Sequence, residues 1–304
     1  MKTKRILAFI AVMVLSLSSA ACSSSSGGNV EAPSDISTGS TAGEDSGESK
    51  QSEPTKEEKA TISETVLVDE AGVKITAKSL DDSFLGSAVK LLIENDSGKD
   101  LTFQCRNASV NGYMIETMMS VDVVNGKKAN DEITFMSSDL KMCNISAIAD
   151  MEFSFHIFTT EGWETFLDTP QIQLRTSISD DYEYSFDDSG NLVYDGNNIK
   201  VVVKGLAEGS SIFGPSIIVY IENSSDKNIT VQARDVSING FMVDAIFSAD
   251  AAIGKRAVDD ITFMSSELEE NEIISIENVE LSFHIFDTDS WDTIVDTDVI
   301  TITF

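Results

Sequence analysis

The chain has 304 residues, and 21 basic against 51 acidic side chains give it a formal charge of −30. Such a polyanion is repelled by nucleic acid, whose binding rests on Lys and Arg neutralising phosphates, and by anionic lipid headgroups. Net charge speaks to solubility and choice of partner, not to fold.

The N-terminus carries Lys2, Lys4 and Arg5 ahead of an apolar run, ILAFIAVMVLSL, at 6–17. That run is too short for a membrane span of about 20 residues but suits a secretory signal. SSAAC follows, ending on Cys22, and resembles the bacterial lipobox, in which the cysteine after small residues takes a diacylglycerol. The pattern prefers Leu three residues before the cysteine, where this chain has Ser19. Residues 1–21 are therefore expected to be a lipoprotein signal peptide and Cys22 the lipid attachment point. An ordinary signal peptide with a chance cysteine is the plainer alternative. Residues 22–61 are rich in Ser, Thr, Gly, Glu and Lys and hold no aromatic residue. A segment like this cannot bury enough apolar surface to offset its ordering entropy, so it reads as a disordered tether with a reach of roughly 30–37 Å.

The remainder repeats itself. IENDSGKDLTFQCRNASVNGYM (93–114) lies over IENSSDKNITVQARDVSINGFM (221–242), and MEFSFHIFTTEGWETFLDT (151–169) over VELSFHIFDTDSWDTIVDT (279–297). The offset stays at 128 throughout. Upstream, the second copy carries two extra residues in its AEGSSIFG loop. The expected organisation is a first repeat at 62–177, a linker at 178–189 and a second repeat at 190–304. Within each unit, short runs such as VKITAKSL, AVKLLIEN and DLTFQCR alternate with a period of two, which is strand patterning. VNGYM and INGFM place Asn-Gly between alternating segments, the signal for a two-residue type I′ hairpin. No long amphipathic helix is visible. The fold class expected is all-β: two tandem, Ig-like antiparallel β-sandwiches.

One decapeptide recurs almost unchanged, as DEITFMSSDL (131–140) and DDITFMSSEL (259–268). It reads as a strand end followed by a short helical turn. Ser137 or Ser138 would cap that turn, and Leu140, Leu268, Ile145 and Ile273 would point back into the sandwich. Ser266 and Glu269 have capping-box spacing. A structural corner explains every shared residue without a ligand.

No catalytic constellation is present: no G-x-S-x-G elbow, P-loop, Rossmann fingerprint or H-E-x-x-H. An enzyme is not expected, and no catalytic residue is assigned. His156 and His284 occupy equivalent strand positions at a sheet face or edge, one per repeat, which is a poor transition-metal arrangement. Cys105 and Cys143 occur only in the first repeat; a disulfide between them is permitted outside the cell, with two separate thiols as the alternative. Acidic stretches at 177–191 and 287–298 are the candidate calcium sites, but neither has EF-hand spacing, and solvated loops are the simpler reading.

The candidate interaction surface is aromatic. Trp163 and Trp291 each open W-[ED]-T-[FI]-[LV]-D-T, where apolar residues three and four later suggest a helical turn. The indoles would anchor that turn to the core or form a carbohydrate or peptide platform. Tyr113 and Met114, with Phe241 and Met242, directly follow the Asn-Gly turns and could form exposed tips.

The IEN.S.K.(I/L)T turn, the NG hairpin and the F.F.IF strand resemble the telokin-like, Ig-like domains of bacterial surface lipoproteins. The likeness covers about 65–304. It implies a sandwich fold and an envelope location, and it transfers no functional residues. The expected function is that of a lipid-anchored, extracytoplasmic binding module at the cell membrane with a protein or glycan partner. An accessory subunit of an envelope membrane complex is the alternative.

Overall fold

The alternating runs become strands in nearly every place the pattern puts them. A computed structural model of the chain describes residues 59–207 and 213–304. The signal peptide, Cys22, almost all of the tether and most of the AEGSSIFG loop lie outside the described residues.

The first half runs β1 (Thr65–Glu70), β2 (Val73–Asp82), β3 (Gly86–Asn95), β4 (Leu101–Val110), β5 (Tyr113–Met114) and β6 (Thr117–Met118). It continues β7 (Ser120–Val123), β8 (Lys127–Met136), α1 (Ser137–Met142), β9 (Asp150–Thr159), β10 (Thr165–Asp168) and β11 (Ile172–Arg175). The same succession then recurs. It begins β12 (Asn191–Gly196), β13 (Ile199–Leu206), β14 (Ser216–Asn223), β15 (Ile229–Ile238), β16 (Phe241–Met242) and β17 (Ala245–Ile246). It ends β18 (Ser248–Ala251), β19 (Arg256–Phe263), α2 (Ser265–Glu270), β20 (Asn278–Asp287), β21 (Thr293–Asp296) and β22 (Ile300–Thr303). The protein is all-β, built from several antiparallel sheets.

In the first half, sheet β1-β2-β3-β8-β6 faces strands β10-β9-β4, with β7 on β4 and β11 on β9. Ile75, Leu91, Ile133, Phe103, Phe153 and Phe155, from both sheets, meet in one core. Val201, Val219, Ile261, Val231, Leu281 and Phe283 do the same in the second half. What the repeat pattern does not convey is that the halves share a sheet. β5 pairs with β19 in parallel, through Arg256 N donating to the Gly112 carbonyl at 3.0 Å, so the strand order runs on as β4-β5-β19-β14-β13-β12.

Side chains lock this seam. The Arg256 guanidinium lies 3.6 Å from the centroid of the Phe186 ring and bonds Glu222 at 2.9 Å. Lys255 pairs with Glu152 across the halves at 2.6 Å. Tyr220 and Val202, from the second half, sit in the core of the first.

Two sequence motifs turn out to be structural. Asn95 is fully buried; its Nδ2 donates to the Lys99 and Val123 carbonyls at 2.8 and 2.7 Å, and its Oδ1 accepts from Ser97 N and Oγ. Asn223 repeats this with Lys227, Ala251 and Ser225. The Asn of the IEN.S.K pattern thus ties the β3–β4 turn to the end of β7. Asn111 and Gly112 have φ of +50° and +85°, and Asn239 and Gly240 +51° and +85°, as a type I′ turn requires.

The decapeptide corner differs from expectation in its cap. Met136 and Met264 occupy the N-cap positions with no side-chain cap bond, so the serines fall inside the first turn. The shared acidic residue has another task. The Asp139 carboxylate accepts Glu116 N at 2.8 Å, and Glu267 accepts Asp244 N, fastening each helix to the hairpin strand beside it. Leu140 and Leu268 are buried as expected.

Candidate functional site

Along β9 the side chains alternate. Met151, Phe153, Phe155 and Ile157 enter the core, so Glu152, Ser154, His156 and Phe158 face outward. On β4, Leu101 and Phe103 point in while Thr102, Gln104 and Arg106 point out. β7 adds Ser120 and Asp122 beside β4, and β10 brings Asp168 opposite His156. β18, β15, β20 and β21 build the same face in the second half.

Each face ends in an aromatic ladder. Trp163 stacks on Phe158 with centroids 5.4 Å apart and planes 16° from parallel; Phe158 in turn lies 5.1 Å from the His156 ring. Trp291, Phe286 and His284 give 5.5 Å, 18° and 5.1 Å. Phe158 is only 4% exposed beneath its indole, whereas Trp163 is 76% exposed and Trp291 74%. Core anchoring by these tryptophans is therefore overturned, as is the helical turn after them. The chain runs straight into β10 and β21, because Trp163 and Trp291 close the β9–β10 and β20–β21 hairpins and keep one ring face in solvent.

Both tryptophans hold left-handed backbone, φ +58° and +64°. That conformation costs a residue with a Cβ about 1–2 kcal/mol and is the natural seat of glycine. Trp163→Gly and Trp291→Gly should therefore leave the melting temperature nearly unchanged. Lost stacking, about 0.5–1.5 kcal/mol, is offset by relief of the backbone. A drop of more than about 3 kcal/mol in denaturant unfolding would make the indoles structural.

The polar groups of the face are mutually held. The Thr102 hydroxyl donates to Asp122 at 2.6 Å and lies 3.1 Å from Thr160 Oγ1; Thr230 repeats this with Asp250 and Thr288. Arg106 donates to Gln104 at 3.2 Å. His156 Nδ1 and His284 Nδ1 lie 2.5 Å from Asp168 and Asp296. A carboxylate only accepts, so Nδ1 carries the proton and each imidazole is fixed in orientation.

A cleft of about 490 Å³ opens where the halves meet, reached by Arg106 on one side and by Ser248 and Asp250 on the other. Asp259 lies in it. Burial, offset in part by the Asp260 N–H and reinforced by the charges of Asp260, Glu116 and Asp139, raises its pKa to about 6. A carboxyl raised on folding binds its proton more tightly in the native state, so stability falls as pH climbs from about 4 to 6 and stays lowered above. Asp259→Asn keeps the acceptor for Asp260 N and should add on the order of 2 kcal/mol at pH 7.5 while flattening that slope. Urea midpoints measured across this range decide it; no gain at pH 7.5 would contradict the assignment.

Other expected site residues fall elsewhere. Tyr113 is not an exposed tip: it is 4% exposed, because Phe186 of the linker lies 5.4 Å from its ring and β19 of the second half pairs beside it. Met114 is half-buried, while Phe241 and Met242, at the corresponding place in the second half, are exposed at 48% and 66%. Cys105 and Cys143 are free thiols, which overturns the disulfide. Cys105 lies beside Thr117, Cys143 beside Val258 and Asp259 of β19, and burial pushes their pKa to about 11 and about 12. Thiolate is the reactive form, so iodoacetamide should label both only as the protein unfolds. Among the described residues no three His, Cys, Asp or Glu side chains converge as metal ligands, at the acidic stretches or elsewhere.

The alternation alone turns Thr102, Gln104, Arg106 and His156 outward; that Ser120, Asp122 and Asp168 join them on one face is set by strand pairing. A position-by-position comparison of the repeats adds a further signal. Thr102, Gln104, Arg106, Ser154, His156 and Phe158 are all identical 128 residues on, whereas of the inward residues Phe155 and Ile157 are identical and Leu101, Phe103, Cys105, Met151 and Phe153 have changed.

No protein-family model matches the chain, and no curated protein matches it. Among solved structures, a crystal structure of the YadV chaperone is similar over 71% of this chain and 92% of its own, at 11% identity and a TM-score of 0.22. At that TM-score the likeness carries no argument. The molecule's class is accordingly drawn from its own architecture: an all-β protein bearing two equivalent aromatic-edged sheet faces.

Proposed function

We propose that the protein is a lipid-anchored, extracytoplasmic binding module that engages its partner through the two outward sheet faces. One observation carries this reading. In each half an exposed tryptophan is held at a left-handed φ and stacked on a phenylalanine, where glycine would serve the turn better. Large, rigid aromatic side chains are the residues that dominate binding energy when buried by a partner. The face is assigned recognition, not catalysis. Cys22 would anchor the chain, and residues 23–61 would hold the faces clear of the membrane.

Full-length protein in detergent, used as bait against wall and matrix extracts and against solubilised membranes of its own cell, tests the reading. Retention that is lost when Trp163 and Trp291 are both changed to glycine supports it. Retention of one membrane protein that survives the change would favour an accessory subunit.

A further inference from the structure

The two faces are chemically the same, and that sameness identifies the partner. Much of the core is kept between the halves, Ile133, Phe135, Phe155 and Ile157 recurring as Ile261, Phe263, Phe283 and Ile285, but on β4 and β9 the outward set is kept more strictly than the inward one. Phe103 became Val231 and Phe153 became Leu281, while Gln104, Arg106, His156 and Trp163 reappear as Gln232, Arg234, His284 and Trp291. Hydrophobic cores tolerate such exchange when volume and patterning hold. Trp163 and Trp291 lie outside both cores and are about three-quarters exposed, so core packing does not account for their recurrence. Two identical binding surfaces on one chain match a ligand that repeats.

We propose, resting on the binding-module reading, that this ligand is a neutral polysaccharide, with one sugar stacked on each exposed indole and neighbouring sugars lying across the polar face. The flat C–H side of a pyranose is apolar and covers an aromatic ring. Its hydroxyls both donate and accept, which suits a mixed set of donors and acceptors: Arg106 and Gln104 beside Asp122 and Asp168. A peptide adding a strand would need an open sheet edge, whereas the face of β4 and β9 presents side chains. The charge of −30 opposes polyanionic glycans as it opposes nucleic acid. The cleft of about 490 Å³, lined by Arg106 of the first face and by Ser248 and Asp250 of the second, adjoins both surfaces, so a single polymer has a path from one to the other.

Affinity electrophoresis of the full-length protein through gels containing a β-glucan, an α-glucan or a soluble N-acetylglucosamine polymer tests this, with polygalacturonate and polylysine as charged controls. At least one neutral polymer should retard the protein. Trp163→Gly and Trp291→Gly should each weaken that binding about 100-fold, since each removes one of two linked sites. The double variant should migrate freely with its circular dichroism intact. Retardation unchanged in the double variant, or by polygalacturonate alone, would overturn the proposal. Polylysine retardation lost in the double variant, with neutral glycans inert, would remove the glycan and leave the binding module standing. No retardation by any polymer, together with no tryptophan-dependent retention in the extract experiment, would remove both.

Discussion

Asn95→Ala and Asn223→Ala are each expected to lower the unfolding free energy by about 3 kcal/mol. Both residues are completely buried, and each satisfies two backbone carbonyls and accepts from a serine two residues on. Removing the carboxamide leaves those carbonyls without partners, and an unsatisfied buried polar group costs about 1–3 kcal/mol. The turn between β3 and β4 and the end of β7 loosen together, because Val123 O is one of the two acceptors. Asp in place of Asn should be no better, since it lacks the donor. Urea unfolding checks both, and a loss below about 1 kcal/mol would mean that water takes over the bonds.

Arg256→Ala should cost about 3 kcal/mol and, more tellingly, uncouple the two halves. The guanidinium is four-fifths buried, bonds Glu222 of its own half and lies against Phe186 of the linker, whose ring packs on Tyr113 of the first half. Breaking a buried ion pair costs about 3–5 kcal/mol, lessened here because Lys200 also lies 3.5 Å from Glu222. The cation–π contact adds about 1–2 kcal/mol. The two tryptophans provide one fluorescent reporter in each half, and Trp163→Phe or Trp291→Phe isolates the other. In the parent the two denaturation curves should coincide; with Arg256→Ala they should separate. Coincident curves in the variant would show that Lys255–Glu152 and the packing of Tyr220 suffice to couple the halves.

The alternation in DLTFQCR and its repeat is enough to name both faces of β4 and β15, because a strand turns successive side chains to opposite sides whatever it pairs with. The Asn-Gly dipeptides likewise state their turn, since few other pairs tolerate two consecutive positive φ angles. Trp163 and Trp291 show the converse. W-x-T-[FI]-[LV] has apolar residues at helical spacing, and only the bonds from Thr159 N to Glu164 O and from Asp287 N to Asp292 O, with the pairing of β10 on β9 and β21 on β20, make the segment a strand return. Ser137 and Ser138 look like caps from spacing alone, yet the helix begins one residue earlier than that spacing supposes.

By itself, then, the sequence determined the local periodicities: an all-β class, strand placement, hairpin turns and the repeat at 128 residues. These follow from steric rules within a few residues of chain. Tertiary structure alone decided that Tyr113 is buried while Phe241 is exposed. The two occupy the same local pattern, but Phe186 of the linker and β19 of the second half lie beside one of them. It also decided that Cys105 and Cys143 stay apart, and that Thr102, Gln104, His156 and Asp168, scattered over three strands, share one face with Trp163. Pairing between strands distant in sequence brings these together, and the register of that pairing is set by which face must be buried, a property of the whole sandwich.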